Sequence, residues 1–167
     1  IHPGFSVDCV VLSFYKKKIH VLLNKFDVSD LWQLPGGFML KEESADEAAY
    51  RTLRMRTGAT DIYLKQLHLF SDPNRTKLDQ NEVLAAAGFG APWLLQRFVS
   101  LGYYALVKYD EVQLSRVEGE TSKWFDIHNL PPLYSDHGHI IETAKDTIRD
   151  MLPTLPIAYE LLPKKFT

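Results

Sequence analysis

The sequence LPGGFMLKEESADEAAYRTLRMRTG, residues 34–58, predicts a strand, a tight Gly-Gly turn and a helix. Ser44 is placed to accept hydrogen bonds from the first free amides of the helix, and Glu47, three residues later, completes a capping box. Gly58 is predicted to end the helix, because glycine adopts the left-handed conformation without penalty. The rest of the chain is organised around this unit.

The same stretch resembles the Nudix box, the signature of the Nudix hydrolases, which cleave nucleoside diphosphates linked to another group X. The family pattern is Gly-x5-Glu-x7-Arg-Glu-apolar-x-Glu-Glu-x-Gly-apolar. Gly37, Glu43, Arg51, Leu53 and Gly58 match this pattern at the required spacing. The Trp-x-Leu-Pro-Gly-Gly run that precedes the box in Nudix domains is also present, ahead of the helix.

The metal-binding positions of the box do not match. The family carries three glutamates on one helical face, where this chain has Thr52, Met55 and Arg56. Mg²⁺ and Mn²⁺ prefer oxygen ligands, a thioether is a poor substitute, and a guanidinium cannot coordinate a metal. We therefore predict a degenerate box with no catalytic residues and no cofactor, with Mg²⁺ or Mn²⁺ expected only if the chain is a divergent hydrolase.

Length and composition set further bounds. The chain has 167 residues, a formal net charge of −2 and 46% apolar residues, as in a single soluble domain. This charge gives no general attraction to nucleic acid or membranes. The single cysteine, Cys9, excludes an internal disulfide, and no apolar run is long enough to cross a bilayer. We expect a cytoplasmic protein.

Periodicity predicts the remaining elements. Residues 1–155 are predicted to form one domain, in which residues 71–97 are an apolar insertion that covers a cleft or forms a dimer contact. The fold that the resemblance implies is α/β (α+β), a Nudix α/β/α sandwich with a mixed central sheet between helices. The predicted strands are 5–14, 19–23, 62–70, 98–108, 112–116 and 121–125, and the predicted helices are 44–57, 78–87 and 140–151.

A narrower resemblance covers most of the chain. It is similar to the Nudix-related transcriptional regulators of bacteria, which join a Nudix-like sensor domain to a C-terminal winged helix. Leu34–Phe38 before the degenerate box, Ile62–Leu67 leading to Phe70-Ser71-Asp72, Tyr103–Leu106, and Leu161–Thr167 carry this resemblance. Residues 156–167 are therefore expected to be a linker toward a winged-helix domain that is missing from this chain.

The regulator resemblance implies a non-catalytic domain that senses a small-molecule effector, a sugar (pentose) or an ADP-ribose type of ligand. It also implies a homodimer that contacts DNA only through the missing domain. A sugar pocket needs carboxylates, amides and aromatic rings, and a nucleotide pocket needs arginines. The predicted ligand-binding residues are Trp32, Gln33, Glu43, Arg51, Arg75, Arg97, Tyr103, Asp136 and His137.

Several of these residues have a second interpretation. Trp32 could be a core aromatic instead of a ligand-stacking one, and Asp136 is also a plausible N-cap of the last helix. Glu43 and Arg51 are expected to form an ion pair that holds the loop against the helix. For the whole chain, the alternatives are a divergent hydrolase of ADP-ribose or another nucleoside diphosphate derivative, and a dimerisation scaffold without a ligand.

Overall fold

A computed structural model describes residues 1, 4–89, 92–114 and 116–151, and the statements below concern this part of the chain. The expected linker, 156–167, lies outside the described residues. The strands are β1 (Phe5–Tyr15), β2 (Lys18–Phe26), β3 (Gly36–Phe38), β4 (Tyr63–Phe70), β5 (Val99–Leu106) and β6 (Glu120–Asp126), and the helices are α1 (Ala45–Thr57), α2 (Leu78–Ala86) and α3 (His137–Met151).

The six described strands form one mixed sheet. Its order is β4-β5-β1-β2-β6, and the short β3 pairs separately with β1. β1 and β5 run parallel, whereas the pairs β1–β2, β1–β3, β2–β6 and β4–β5 are antiparallel. The predicted α/β fold with a mixed sheet between helices is confirmed.

The central strand β1 contributes to two cores, because alternate residues of a strand point to opposite faces of the sheet. Val7, Cys9 and Val11 are fully buried against α1. Val10 and Leu12 face the other way, into a second core that contains α3. Burial of Cys9 raises the pKa of its thiol, as expected for an inert core cysteine.

The helix α1 forms as its sequence predicts. Ser44 Oγ accepts from the Glu47 amide at 3.1 Å, and the Glu47 carboxylate accepts from the Ser44 amide at 3.0 Å. Gly58 ends the helix with φ +65°, and its amide binds the carbonyl of Arg54. Both ends of the helix are therefore set by local sequence.

Three predicted features differ from the structure. The Gly36-Gly37 pair, predicted as a tight turn, lies in the short strand β3, which pairs with β1. Val112–Leu114, from the predicted strand 112–116, lie in irregular backbone and pair with none of the described strands. The helix α3 begins at His137, three residues before the predicted start. Within the described residues, no helix is long and apolar enough to cross a membrane.

Candidate ligand-binding site

A cavity of about 270 Å³ lies where β1, β3, the paired ends of β2 and β6, the start of α3 and the insertion 71–97 meet. We call it the central cavity. One group of its lining residues is polar, and the other is a set of aromatic and aliphatic side chains. The lining consists of Ser6, Asp8, Phe26, Gln33, Leu34, Gly36, Gly37, Phe38, Arg75, Leu84, Phe89, Leu94, Phe98, Glu120, Tyr134 and His137.

Asp8 forms the floor of the central cavity. It is the carboxylate in the middle of the apolar strand β1, and it points to the α3 face. One of its oxygens accepts from Ser100 Oγ at 2.5 Å and lies 3.9 Å from the Arg75 guanidinium. Burial raises the pKa of Asp8, although nearby His137, Ser100 and Arg75 act in the opposite direction. The floor is thus a buried acceptor with oxygen surface facing the cavity.

Arg75 comes from the start of the insertion and is held from three sides. Its Nε and one terminal nitrogen each donate to the Asp136 carboxylate at 3.0 Å. The other terminal nitrogen donates to the carbonyl of Phe98 at 3.1 Å, and the guanidinium lies over the ring of that residue. A bidentate pair of this kind fixes the guanidinium plane, so Arg75 is preorganised at the cavity wall.

His137 is the first residue of α3, and the structure fixes its tautomer. Its Nδ1 accepts a hydrogen bond from the amide of Leu34 at 2.9 Å, so in the neutral ring the proton is on Nε2. That Nε2 lies 3.6 Å from Asp8 Oδ1. Burial lowers the pKa of His137, while the Asp8 carboxylate raises it less. The ring presents an N–H donor beside the Asp8 acceptor.

The insertion supplies the opposite wall. Leu84, Phe89 and Leu94 line the central cavity, and the ring of Phe89 packs on Phe26 with a centroid distance of 4.4 Å. Asn81 is completely buried, accepts from the Tyr134 hydroxyl and donates to the Leu94 carbonyl at 2.6 Å. The insertion therefore lies along this cavity, as its interpretation as a cleft cover predicts.

Four of the nine predicted ligand-binding residues are at or next to the central cavity. Gln33, Arg75 and His137 line it. Asp136 lies behind Arg75, and its carboxylate binds that guanidinium. Arg75 and His137 were predicted from separate segments, and the fold brings them together around Asp8.

Trp32, Glu43 and Arg51 lie away from the central cavity. Trp32 packs edge-on against Phe125 in the α3-side core, so the geometry favours its interpretation as a core aromatic. Arg51 donates to Glu43 at 2.6 and 3.0 Å and to the Phe38 carbonyl at 3.2 Å, which is the predicted ion pair between loop and helix. The cavity lining does not support ligand contact by these three residues.

Arg97 and Tyr103 are also elsewhere. Arg97 is exposed and donates to the Ser71 carbonyl at 2.9 Å. Tyr103 pairs with Cys9 across the parallel strands and therefore faces α1, where its hydroxyl donates to Asp46 at 2.5 Å. Its burial beneath α1 raises the pKa of the phenol. The sheet separates Tyr103 from the central cavity.

Asp8, Ser100 and Glu120 are polar residues at or beside this cavity that sequence reasoning missed. One signal was available for Asp8, since a single carboxylate inside an otherwise apolar, buried strand needs a specific partner. Ser100 and Glu120 gave no comparable signal, because their partners, Asp8 and Arg56, are 92 and 64 residues away in the chain.

The Nudix-box helix carries a donor set that does not fit a divalent cation. Thr52 is buried in the helix interface, and Met55 is half exposed. Arg56 is buried and donates to the Glu120 carboxylate with two nitrogens. The positive guanidinium of Arg56 repels a metal ion, and the thioether of Met55 offers the ion no oxygen ligand.

The fold and the site define a class: an α/β sandwich with a Gly-Gly loop, a capped helix and a ligand-sized cavity. The NUDIX domain profile matches residues 2–144. The chain therefore belongs to the Nudix family, which confirms the family resemblance of its box.

Similar proteins include both an enzyme and a ligand complex. An ADP-ribose pyrophosphatase of Methanocaldococcus jannaschii is 25% identical over 145 residues, covering 85% of this chain and 73% of that protein. The NUDIX domain of Shewanella oneidensis NrtR, in complex with ADP ribose, superposes with a TM-score of 0.66 at 24% identity, covering 86% of this chain and 87% of that one.

The longer NrtR chain, in complex with a 27mer DNA, superposes with a TM-score of 0.73 at 25% identity. That match covers 98% of this chain and 70% of the NrtR chain. A pyrophosphatase and a protein solved with DNA are thus both among the proteins similar to this chain.

Proposed function

We propose that this chain is a non-catalytic, effector-binding Nudix domain of a bacterial transcriptional regulator, and that the central cavity holds the effector. The single observation that carries the proposal is the closed arrangement of Asp8, Arg75 and His137 on the cavity floor, opposite an aromatic wall. Ligand sites combine apolar walls with a few convergent polar groups in this way.

Size and charge favour the sugar class over the ADP-ribose class. The cavity volume of about 270 Å³ is below the roughly 300–1,000 Å³ that drug-sized ligands occupy. Among the described residues that line it, Arg75 carries the only permanent positive charge, and Asp136 already neutralises it. A diphosphate would face Asp8 and Glu120 without a free cation. A pentose would place hydroxyl groups there.

In this proposal each floor residue has a defined role. The oxygens of Asp8 accept from ligand hydroxyl groups, and Nε2–H of His137 donates to one. Gln33 offers an amide from the cavity edge. Phe26, Phe38 and Phe98 present rings to the apolar face of the sugar.

Calorimetric titration of the chain with L-arabinose, D-xylose, D-ribose and ADP-ribose tests the proposal. We expect one pentose to bind, and Asp8→Asn to weaken it by about 10-fold or more, since a charge-assisted hydrogen bond contributes roughly 1.5–3 kcal/mol. Asp46→Asn, which changes a carboxylate on the α1 side of the sheet, is the matched control and should bind as the unchanged chain does. Binding of ADP-ribose alone would assign the cavity to the nucleotide class, and no binding by any of the four would overturn the proposal.

A second candidate, a divergent hydrolase of ADP-ribose or a related nucleoside diphosphate derivative, is favoured by the similarity to the archaeal pyrophosphatase. The replaced metal face argues against it. Incubation with ADP-ribose and Mg²⁺ or Mn²⁺, followed by chromatography for AMP, tests this candidate. Formation of AMP that Arg56→Gln does not alter would establish a catalytic site elsewhere in the chain.

The regulator proposal extends to the partners and the location of the chain. We propose a cytoplasmic homodimer that reaches DNA only through a C-terminal winged-helix domain outside this chain, without a metal cofactor. The similarity to NrtR solved with DNA supports this part. Analytical ultracentrifugation tests the dimer, and a concentration-independent monomer would contradict it. A native gene that ends at Thr167 would contradict the DNA-binding domain.

A further inference from the structure

A buried ion pair occupies the place where the Nudix box departs from its family. Arg56, at the end of α1, and Glu120, the first residue of β6, are each more than nine-tenths buried as side chains. The two terminal nitrogens of Arg56 donate to the two oxygens of Glu120. Nε of Arg56 is buried and has no partner, so the guanidinium depends on this one carboxylate.

Glu120 connects this pair to the central cavity. It lines the cavity, and in the ladder between β2 and β6 it stands opposite Phe26. The ring of Phe26 packs against the ring of Phe89, which belongs to the insertion. The pair therefore lies directly behind one wall of the cavity, with its negative partner toward the ligand and its positive partner toward α1.

The orientation of the Arg56–Glu120 ion pair decides which ligands can lie against this wall of the central cavity. A phosphate entering the cavity meets the carboxylate first, and like charges in a poorly solvated space repel strongly. It cannot take the place of Glu120 at Arg56 without leaving that carboxylate buried and unpaired, which is costly. A neutral hydroxylated ligand meets neither obstacle.

We propose that Glu120 is a specificity-determining residue of the central cavity, which excludes phosphate-bearing ligands by holding Arg56 as its counter-ion. The inference deepens the proposed function, because it rests on the central cavity being the ligand site. It also explains why a guanidinium lies on the helical face where the family carries metal-binding glutamates. Arg56 neutralises Glu120 and does not contact the ligand.

The experiment measures thermal denaturation with and without inorganic pyrophosphate. The unchanged chain should not respond. Glu120→Gln leaves Arg56 buried without a counter-ion, so pyrophosphate should bind there and raise the melting temperature by about 4 °C or more at saturation. The double variant Arg56→Gln/Glu120→Gln lacks the cation and should not respond. Glu43→Gln, which frees Arg51 on the surface, is the matched control and should not respond either.

A charge-swapped variant covers the case in which Glu120→Gln does not fold. Arg56→Glu/Glu120→Arg keeps the ion pair but turns its positive partner toward the cavity. We expect its affinity for pyrophosphate, measured by calorimetry, to exceed that of the unchanged chain by about 10-fold or more. An equal response of the unchanged chain, or no gain in both Glu120→Gln and the swapped variant, would overturn the inference.

The two proposals fail separately. If no pentose binds but Glu120→Gln gains a pyrophosphate response, the proposed effector class is wrong and the role of Glu120 stands. If a pentose binds and its affinity is unaffected by the charge at position 120, while pyrophosphate never binds, the cavity is a sugar site whose specificity has another source.

Discussion

The two faces of the sheet bury different chemistry. The face beneath α1 is mainly an apolar core, and its polar contacts include the hydrogen bond from Tyr103 to Asp46 at the helix start and the buried ion pair of Arg56 with Glu120 at the helix end. The face beneath α3 buries Asp8, Arg75 and His137 around the central cavity. The Nudix helix, where the family places its chemistry, therefore packs mainly on apolar side chains, apart from the ion pair at its end.

This difference shows that the Nudix-box residues and the polar groups at the cavity have separate roles in this fold. The Gly-Gly loop, the cap and the C-terminal glycine of the box shape the backbone, and the chain keeps all of them. The ion pair of Glu43 with Arg51 ties the loop to the helix at the surface. Most of the polar groups with room for a ligand are on the other face, and the box reaches the cavity only at Gly37 and through Glu120, the partner of Arg56. Four substitutions compare the two faces.

The largest effect is expected for Arg75→Met. This change leaves Asp136 and Asp8 buried near each other without their shared cation, and removing one partner of a buried pair costs about 3–5 kcal/mol. Urea denaturation measures the free energy of unfolding. Arg51→Met, from the α1 side, is the matched control. Equal losses for the two variants would mean that the two faces do not differ as described.

A second comparison uses adjacent glycines of β3. A Cβ on Gly36 would lie 2.4 Å from both the Val7 carbonyl oxygen and Asp8 Oδ1, whereas a Cβ on Gly37 meets nothing within 4 Å. We expect Gly36→Ala to destabilise the fold by about 1–3 kcal/mol, as other overpacked sites do, and Gly37→Ala to be near neutral. The same urea titration measures both. A neutral Gly36→Ala would show that the floor at Asp8 is not tightly packed.

The third prediction concerns pH and His137. Burial lowers its pKa in the folded chain, whereas in the unfolded chain it titrates near 6.5. The unfolded state therefore binds the extra proton first, and the free energy of unfolding falls as the pH is lowered through about 6.5.

His137→Gln should reduce this slope, and the difference between the two pH profiles isolates His137 from the exposed histidines. Asp8, Asp136 and Arg75 face the ring and remain in both proteins. His128→Gln, at an exposed histidine, should keep the slope of the unchanged chain. Parallel profiles for the unchanged chain and His137→Gln would contradict the assigned burial of His137.

The smallest effect is expected for Glu43→Gln. The pair with Arg51 is partly exposed, and surface ion pairs contribute about 0–1 kcal/mol. Hydrogen bonding to Arg51 lowers the pKa of Glu43, which agrees with a formed but solvated pair. Urea denaturation in low and high salt checks this, and a loss above about 2 kcal/mol would show that the loop of the box is a major stabilising element.

Sequence reasoning succeeded where the signals were local. The cap, the box pair and the helix end of α1 depend on residues within 13 positions of one another, and each formed as predicted. The resemblance of the box gave the fold. The short strand predicted at 112–116 is not formed by Val112–Leu114, because a few β-prone residues without a pairing partner do not specify a strand.

The central cavity could be predicted only in part. Arg75, Asp136 and His137 were chosen for their chemistry, but their convergence on Asp8 joins segments 61 to 129 residues apart. Trp32 and Tyr103 lie away from this cavity, and the sequence does not reveal this, because an aromatic residue in a strand or loop has the same sequence pattern on either face. Which face a residue occupies depends on register, and register is fixed by pairing across the whole sheet.

The pair of Arg56 with Glu120 also constrains how this lineage can change. A single exchange of Arg56 for glutamate, the first step back to a metal site, would place two buried carboxylates against each other. A single exchange of Glu120 would leave a buried guanidinium without a partner. Either intermediate is less stable than both ends of the path. Paired exchange of the two residues avoids both intermediates, so this ion pair couples what each position tolerates.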